Sequence, residues 1–562
     1  MKLNWKKWLL ILVGSITWSL TMVRSGLTYS FGIGFWGANG HDGIWHIALI
    51  KSLAKGNFQM PIFSGWGIQN YHIGFDLLLS YIVRFTKISP SFLYFQIVPP
   101  LLALFIGFLT YKFVYLWRKS EGQSLLAVFF VYFGGSFGWL ISLISNQGWG
   151  GESMFWSQQS ISTLINPPFA LSLIIILAGL IYLKKYLEKK LLLNFCLTVF
   201  FFGISIFIKV YAGLLVLISI LVASIWQVIK KKNYSLLGIT LVSGIISLLL
   251  FLPFNKSSAN LISFNPFWFL QTMLIAADRL DWQKLYSAMT TYASGHIWIK
   301  AVLAYGLAFI IFILGNFGTR IIALKSLFKK PKKLLLAGPI EIFIFTLIAA
   351  GITVPMLFTQ KGTAWNTIQF LYYSLIFAGI VAGIEIDSWV NNLSLFKKSL
   401  IIIVFVLITI PTTIASMDNY FPVKPQSMLP TSEVEALKFL STQPDGVVLT
   451  YPFDADKALA AKPPRPLYLY TSTAYVSAFS GKTTFLEDQI NLDIMQYPWQ
   501  ERRASVEDFL NMANTFTAQS FLKENDISYV YWITGQHAKI PDVNLSLMPI
   551  FKNSDVTIFK VK

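Results

Sequence analysis

Apolar residues in this chain come in long unbroken runs, without the polar interruptions that mark a helix on the surface of a soluble protein. About eleven runs are long enough to be read as membrane-spanning helices: 7–24, 91–117, 124–144, 167–187, 191–208, 210–230, 235–254, 298–316, 339–358, 367–386 and 399–416. One more apolar segment, Tyr71 to Phe85, is short. As a helix it would reach about 22 Å, against a hydrocarbon core near 30 Å, so it is expected to lie in the interface or only dip into it. From about Met417 the pattern changes. "SEVEALKFLST" has helical spacing, with Thr431 or Ser432 as the expected N-cap, while "GVVLTYPF" and "ISYVYWIT" are short β-type runs. The expected fold is mostly α: a polytopic helical membrane bundle over 1–416, with a first outer loop at 25–90, and a small C-terminal α/β domain over 417–562.

Composition agrees with this pattern. Of the 562 residues 55% are hydrophobic and 13% charged, where a soluble surface needs roughly 25% charged. The net charge of +19 would suggest a nucleic-acid partner in a soluble protein. Here the positives sit in short loops and act as topology signals: Lys2/Lys6/Lys7, Arg118/Lys119, Lys184/Lys185/Lys189/Lys190, Lys230/Lys231/Lys232, Arg320 through Lys333, and Lys397/Lys398. Kept on the cytoplasmic side, they place the N-terminus inside and everything after Ser416 outside. No nucleic acid is expected as a partner. The first run lacks a small-residue cleavage site and is read as a retained span. With Cys196 as the only cysteine there is no disulfide framework and no zinc site of cysteine type.

The same topology collects the polar chemistry on the outer face, in loops 25–90, 145–166, 255–297 and 359–366. In the first, "HDGIWH" puts Asp42 and His46 at i and i+4, neighbours on one helix face. A carboxylate four residues from an imidazole can hold a divalent cation or accept a proton from an attacking hydroxyl; an Asp there can also simply cap the helix. His41, Trp45 and His72 are substrate-binding candidates around it. In the second loop Glu152 is the only acid, close to Trp149 and Trp156, a pairing of carboxylate and rings that suits a sugar. Arg279 in the third loop can hold a phosphate or sit in local ion pairs. Lys361 lies near Gln369 where the next span begins, and Lys209 is expected to snorkel to the outer interface, where it can reach a phosphate. There is no Walker A motif and no H-E-x-x-H. Nor does the sequence show a pair of broken helices with buried charge.

One N-terminal span, an Asp-bearing first outer loop, an interfacial helix, a many-span bundle and a C-terminal domain together resemble the GT-C fold of integral-membrane glycosyltransferases. The resemblance implies transfer of a sugar from a polyprenyl-phosphate or diphosphate carrier, on the non-cytoplasmic face, to a glycan, lipid or protein acceptor. It also implies a catalytic acid at Asp42 and a second acid at Glu152, with Mg or Mn as a possible metal held by the two. The chain has no D-x-D in the first loop and no W-W-D-x-G in the C-terminal part, which argues against oligosaccharyltransferase activity. On this reading Asp42 is the base with His46 positioning the acceptor, Lys361 with Arg279 or Lys209 stabilises the leaving phosphate, and the protein is a multi-pass resident of the plasma membrane. The alternatives are a transporter or flippase of lipid-linked saccharides, and a scaffolding membrane protein.

Overall fold

The structure is a computed structural model that describes residues 5–255, 261–328 and 337–562. Lys2, Lys329, Lys330, Lys332 and Lys333, which enter the topology argument, lie outside the described residues. Each of the eleven expected runs contains a helix. Among the described residues eight helices are long and apolar enough to cross a membrane, among them Pro167–Lys189, Val210–Lys231 and Leu395–Met417. The pair Glu121–Phe133 and Gly138–Ile144 meets at a 50° bend, as a broken span or a re-entrant loop does. Trp5–Ser19 and Leu192–Ile208 are shorter, at 15 and 17 residues. The Tyr71–Phe85 segment forms the helix Gly74–Thr86, whose 13 residues reach only about 20 Å.

The chain divides into two compact units. The first comprises Met1–Thr21, Pro100–Pro253 and Ala259–Asn419 and holds most of the bundle. Its central strut is Gln369–Val390, buried along almost its whole length. Gly383 lets this helix touch the backbone of Glu121–Phe133, since a Cβ there would stand 2.4 Å from Ala127 N. Ser235–Phe254 buries only 22% of its apolar window against protein and turns Leu241, Ile245 and Leu249 outward, as a lipid-facing span does.

The second unit comprises Met22–Pro99, Phe254–Ser258 and Tyr420–Lys562, so the first outer loop and the C-terminal segment fold together. Strand Gly32–Phe35 pairs antiparallel with Ser427–Pro430, itself parallel to Arg465–Pro466. A five-stranded sheet runs in the order Leu547–Lys552, Val556–Val561, Ile527–Ile533, Val447–Thr450, Thr483–Thr484. Its apolar face packs Leu449, Val530 and Phe559 against Phe485, Phe509 and Phe521. Segment 60–64 is stitched to 484–487 by Thr484 N–H on the Pro61 carbonyl and Glu487 N–H on the Ile62 carbonyl, at 2.9 and 3.0 Å. Arg502 clamps the seam, donating to the carbonyls of Ser64 and Phe485 with its guanidinium 3.5 Å from the centre of the Phe63 ring. The helix expected in "SEVEALKFLST" is Thr431–Thr442, but Pro430 precedes it as N-cap and Ser432 instead donates to Asp555.

Glu433, Glu487 and Asp488 are buried in the C-terminal part of this second unit. Glu433 accepts from the Tyr531 hydroxyl at 3.2 Å, and burial raises it to about 7. Burial likewise raises Glu487 to about 8 and Asp488 to about 7. With folded pKa values above those of the unfolded chain, these groups stabilise the fold fully at pH 4 and below. Their contribution is lost as pH rises through 7 to 8. The melting temperature is therefore expected to be lower at pH 8.5 than at pH 5.5. Glu433→Gln, which keeps an acceptor for Tyr531, should reduce that drop by roughly 5 °C in a thermal scan by intrinsic fluorescence.

Candidate active site

Asp42 is the first residue of the helix Asp42–Ala54, entered through a 3₁₀ turn at Gly37–Gly40. It is exposed, while every residue from Gly43 to Ile50 is buried. Asp42 does not cap this helix. His41 occupies the N-cap without a side-chain bond, Asn39 is spent on the Ser25 hydroxyl at 3.0 Å, and Asp42 sits one position inside. An acid in the first turn is favoured by the helix dipole, and its side chain is left to face outward. The flanking glycines allow this close packing: a Cβ on Gly40 would meet Ser427 Oγ at 2.2 Å, and one on Gly43 would meet the Phe95 ring at 2.6 Å.

The neighbours of Asp42 come from distant parts of the chain. The ring of His41, beside it, shares a hydrogen bond with Ser472 and meets the Tyr470 ring at 4.8 Å. Burial lowers the His41 pKa, Asp42 opposes that shift and Arg465 adds to it. Asp488 also feels the Asp42 charge, which adds to its upward shift from burial. His46, the i+4 partner, turns its Nδ1 to Asp76 at 2.7 Å, with side-chain exposures of 5% and 0%. Trp45 is buried and donates Nε1–H to the Tyr71 hydroxyl at 3.2 Å, while His72 stacks on the Tyr71 ring at 4.6 Å. His46 and Trp45 therefore hold the Asp42 helix in place rather than lining an open site.

The other candidates are in the membrane unit, where outer loops two, three and four converge. Trp156 packs on Trp268 and Phe269 at 5.4 and 5.7 Å, and Arg279 lies 4.4 Å over its ring. Arg279 also pairs with Asp278 at 3.2 Å. Strand Ile262–Phe264 pairs with Phe358–Gln360, next to the exposed Lys361. Gln369 donates to Asn366, which donates to Gln360. Lys209 does not snorkel. It is 4% exposed and reaches Asn166 Oδ1 at 3.4 Å, because the chain breaks at Lys209 between helices Leu192–Ile208 and Val210–Lys231. Glu152 accepts from Gln159 N–H at 2.9 Å, and its pKa is raised by burial against the opposing bonds from Ser162, Gln159 and Ser416.

Arg320 was missed, because in sequence it opens a basic cluster at a span end. The structure buries it completely. Its guanidinium donates to the side chain of Gln159 and to the carbonyls of Asn316 and Phe317, and Nη1 has no partner. Four chain breaks surround it: Gly134–Phe137, loop 151–166, Phe317–Gly318 and Ile410. They interlock through Asn316 to the Phe155 carbonyl at 2.8 Å, Thr412 to the Ser136 carbonyl at 2.8 Å, and the hydroxyls of Thr319 and Thr409 at 2.6 Å. Broken helices around a buried charge, which the sequence does not reveal, are thus present. Asp76 and Asp488 were missed as well, one hidden in an apolar helix and the other in "FLEDQI"; the paired acids were the only available signal.

Among the described residues no group of three or more His, Cys, Asp or Glu is placed to hold a metal ion.

No family model matches the chain, and no curated protein matches it in sequence. Solved structures do match. The oligosaccharyltransferase of Archaeoglobus fulgidus, with an acceptor peptide containing the NVT sequon tethered to it, aligns with a TM-score of 0.53 at 12% identity, over 95% of this chain and 69% of that one. Its apo form gives the same score and identity, over 70% of its length. The mycobacterial arabinofuranosyltransferase AftD aligns with a TM-score of 0.50 at 12% identity, over 100% of this chain and 40% of that one. At this identity the likeness is one of fold. The chain has the GT-C fold of integral-membrane glycosyltransferases.

Proposed function

We propose that the protein is a membrane glycosyltransferase that moves a sugar from a polyprenyl-phosphate or diphosphate carrier to an acceptor hydroxyl on the non-cytoplasmic face. The observation that carries this reading is Asp42, an exposed acid at the head of a helix buried from Gly43 to Ile50. The fold shared with two glycosyltransferases supports it.

In the proposed reaction the acceptor oxygen bonds to the anomeric carbon as the bond from that carbon to the carrier phosphate breaks. The electron pair leaves on the phosphate oxygen, and the hydroxyl proton passes to Asp42. A single displacement of this kind inverts the anomeric configuration. His46 acts through Asp76 as a positioning residue. No step is routed through a metal ion.

Positive charge for the phosphate is available in the membrane unit. Arg279 pairs with Asp278, Lys361 is exposed and Lys209 is buried against Asn166. Arg320 stands behind the Gln159–Asn166 rim that Lys209 touches. Cations aimed at developing charge stabilise a leaving group strongly in a water-poor site. Lys209→Met is expected to raise KM for the lipid donor about tenfold, worth about 1.4 kcal/mol, and an unchanged KM would remove Lys209 from this role.

The test of the function is to incubate the purified protein with radiolabelled polyprenyl-phosphate sugars and follow donor consumption. Transfer or slow hydrolysis is the expected result. The breaks around Arg320 favour one competing reading, transport of lipid-linked saccharides. Movement of labelled donor between vesicle leaflets, with no bond cleaved, would establish that reading and overturn this one.

A further inference from the structure

A cleft in the second unit is used by nothing described so far. Its rim carries the half-buried rings of Tyr451, Tyr468 and Tyr470, and its wall carries Thr473, Glu487 and Asp488. Tyr475 and Tyr531 form a buried floor, with Glu433 beneath them accepting from the Tyr531 hydroxyl. The cleft opens to solvent.

The lining chemistry is selective. No Lys or Arg lines the cleft, so nothing there would hold a phosphate or another anion. Asp488 accepts one bond on each oxygen from Asn491, at 3.1 and 2.7 Å, which leaves each oxygen able to accept another. Thr473 is 6% exposed, and its hydroxyl has no partner among the described residues. A buried hydroxyl without a partner costs stability. A ligand hydroxyl at that position would offset the cost. Half-exposed rings beside such groups form the usual combination of apolar walls and a few aimed polar atoms. With burial holding Asp488 at about 7 and Glu487 at about 8, the wall carries little charge to attract a cation.

We infer that this cleft is a saccharide-binding site that takes one ring of a neutral glycan, the acceptor of the proposed transfer. The identification of that glycan as the acceptor rests on the function proposed above; the saccharide class rests on the cleft alone. The cleft adjoins the Asp42 helix: His41 meets Tyr470 on the rim, and Asp488 feels the Asp42 charge. A glycan seated here would thus lie close to Asp42.

The experiment uses the full-length protein in detergent and saturation-transfer NMR. The probes are linear tri- to hexasaccharides of glucose, mannose, galactose and arabinose, with a serine-containing peptide as comparison. At least one saccharide is expected to bind, and Tyr468→Ala and Thr473→Val should each weaken it about tenfold. Thr473→Val removes an unsatisfied hydroxyl, so its melting temperature should stay level or rise while binding falls, which separates lost contact from lost fold. Asp42→Asn should still bind the saccharide. Binding by none of the probes, equal binding by both variants and wild type, or binding of the peptide alone would overturn the inference. Binding without any transfer would sink the enzymatic reading and leave the cleft standing. Transfer that is indifferent to Tyr468→Ala and Thr473→Val would do the reverse.

Discussion

Asp42→Asn is expected to lower kcat for sugar transfer by about 10²–10⁴-fold, the usual contribution of a positioned general base. Asn keeps the shape and hydrogen-bonding reach of the side chain but cannot take the acceptor proton. The protein should still fold and insert. Asp42 is exposed, and its part in the fold is the first-turn dipole contact, worth about 0.3–1 kcal/mol at a surface position. The measurement is steady-state transfer from a labelled lipid donor, with the melting temperature recorded alongside. Full turnover in the variant would remove Asp42 from the chemistry. Loss of turnover together with a large fall in melting temperature would show that the side chain holds structure instead.

The second large effect is expected at the pair that anchors the Asp42 helix. Asp76→Ala should destabilise the second unit by about 3 kcal/mol, because it leaves the His46 ring buried without this partner. Neither side chain of the pair is exposed enough for solvent to screen the loss. His46 is enclosed by Phe75 at 5.7 Å and Tyr94 at 5.4 Å, so water has little room to replace the lost oxygen. For a unit of this size the fall in melting temperature should be roughly 10 °C. Asp76→Asn retains an acceptor for His46 and should lose clearly less. Equal melting temperatures for Asp76→Ala and wild type would show that the pair does not anchor the helix.

These residues mark how far the site could be read in the sequence. Asp42 was visible because an acid beside two histidines is rare in a chain with so few charges. Its supporting partners were not. Asp76 is 30 positions from His46 in sequence, and Asp488, Arg465 and Ser472 are more than 400 from Asp42. Only folding of the first outer loop onto the C-terminal segment brings them together. Lys209 and Arg320 were misread for a related reason. By position they are span-end cations, and span-end cations usually reach for the interface. Local chain breaks turn both inward instead.

The sequence by itself determined the helical membrane bundle, the place of its long apolar helices, the short helix in 71–85 and the α/β character of the C-terminal part. Those features follow from the length and period of apolar runs, a local property that lipid and backbone hydrogen bonding enforce wherever the run occurs. Tertiary structure decided which loops fold together, which cations are buried and where a cleft opens. These depend on contacts between segments from tens to hundreds of residues apart, and no local pattern of apolar and polar positions encodes such a contact.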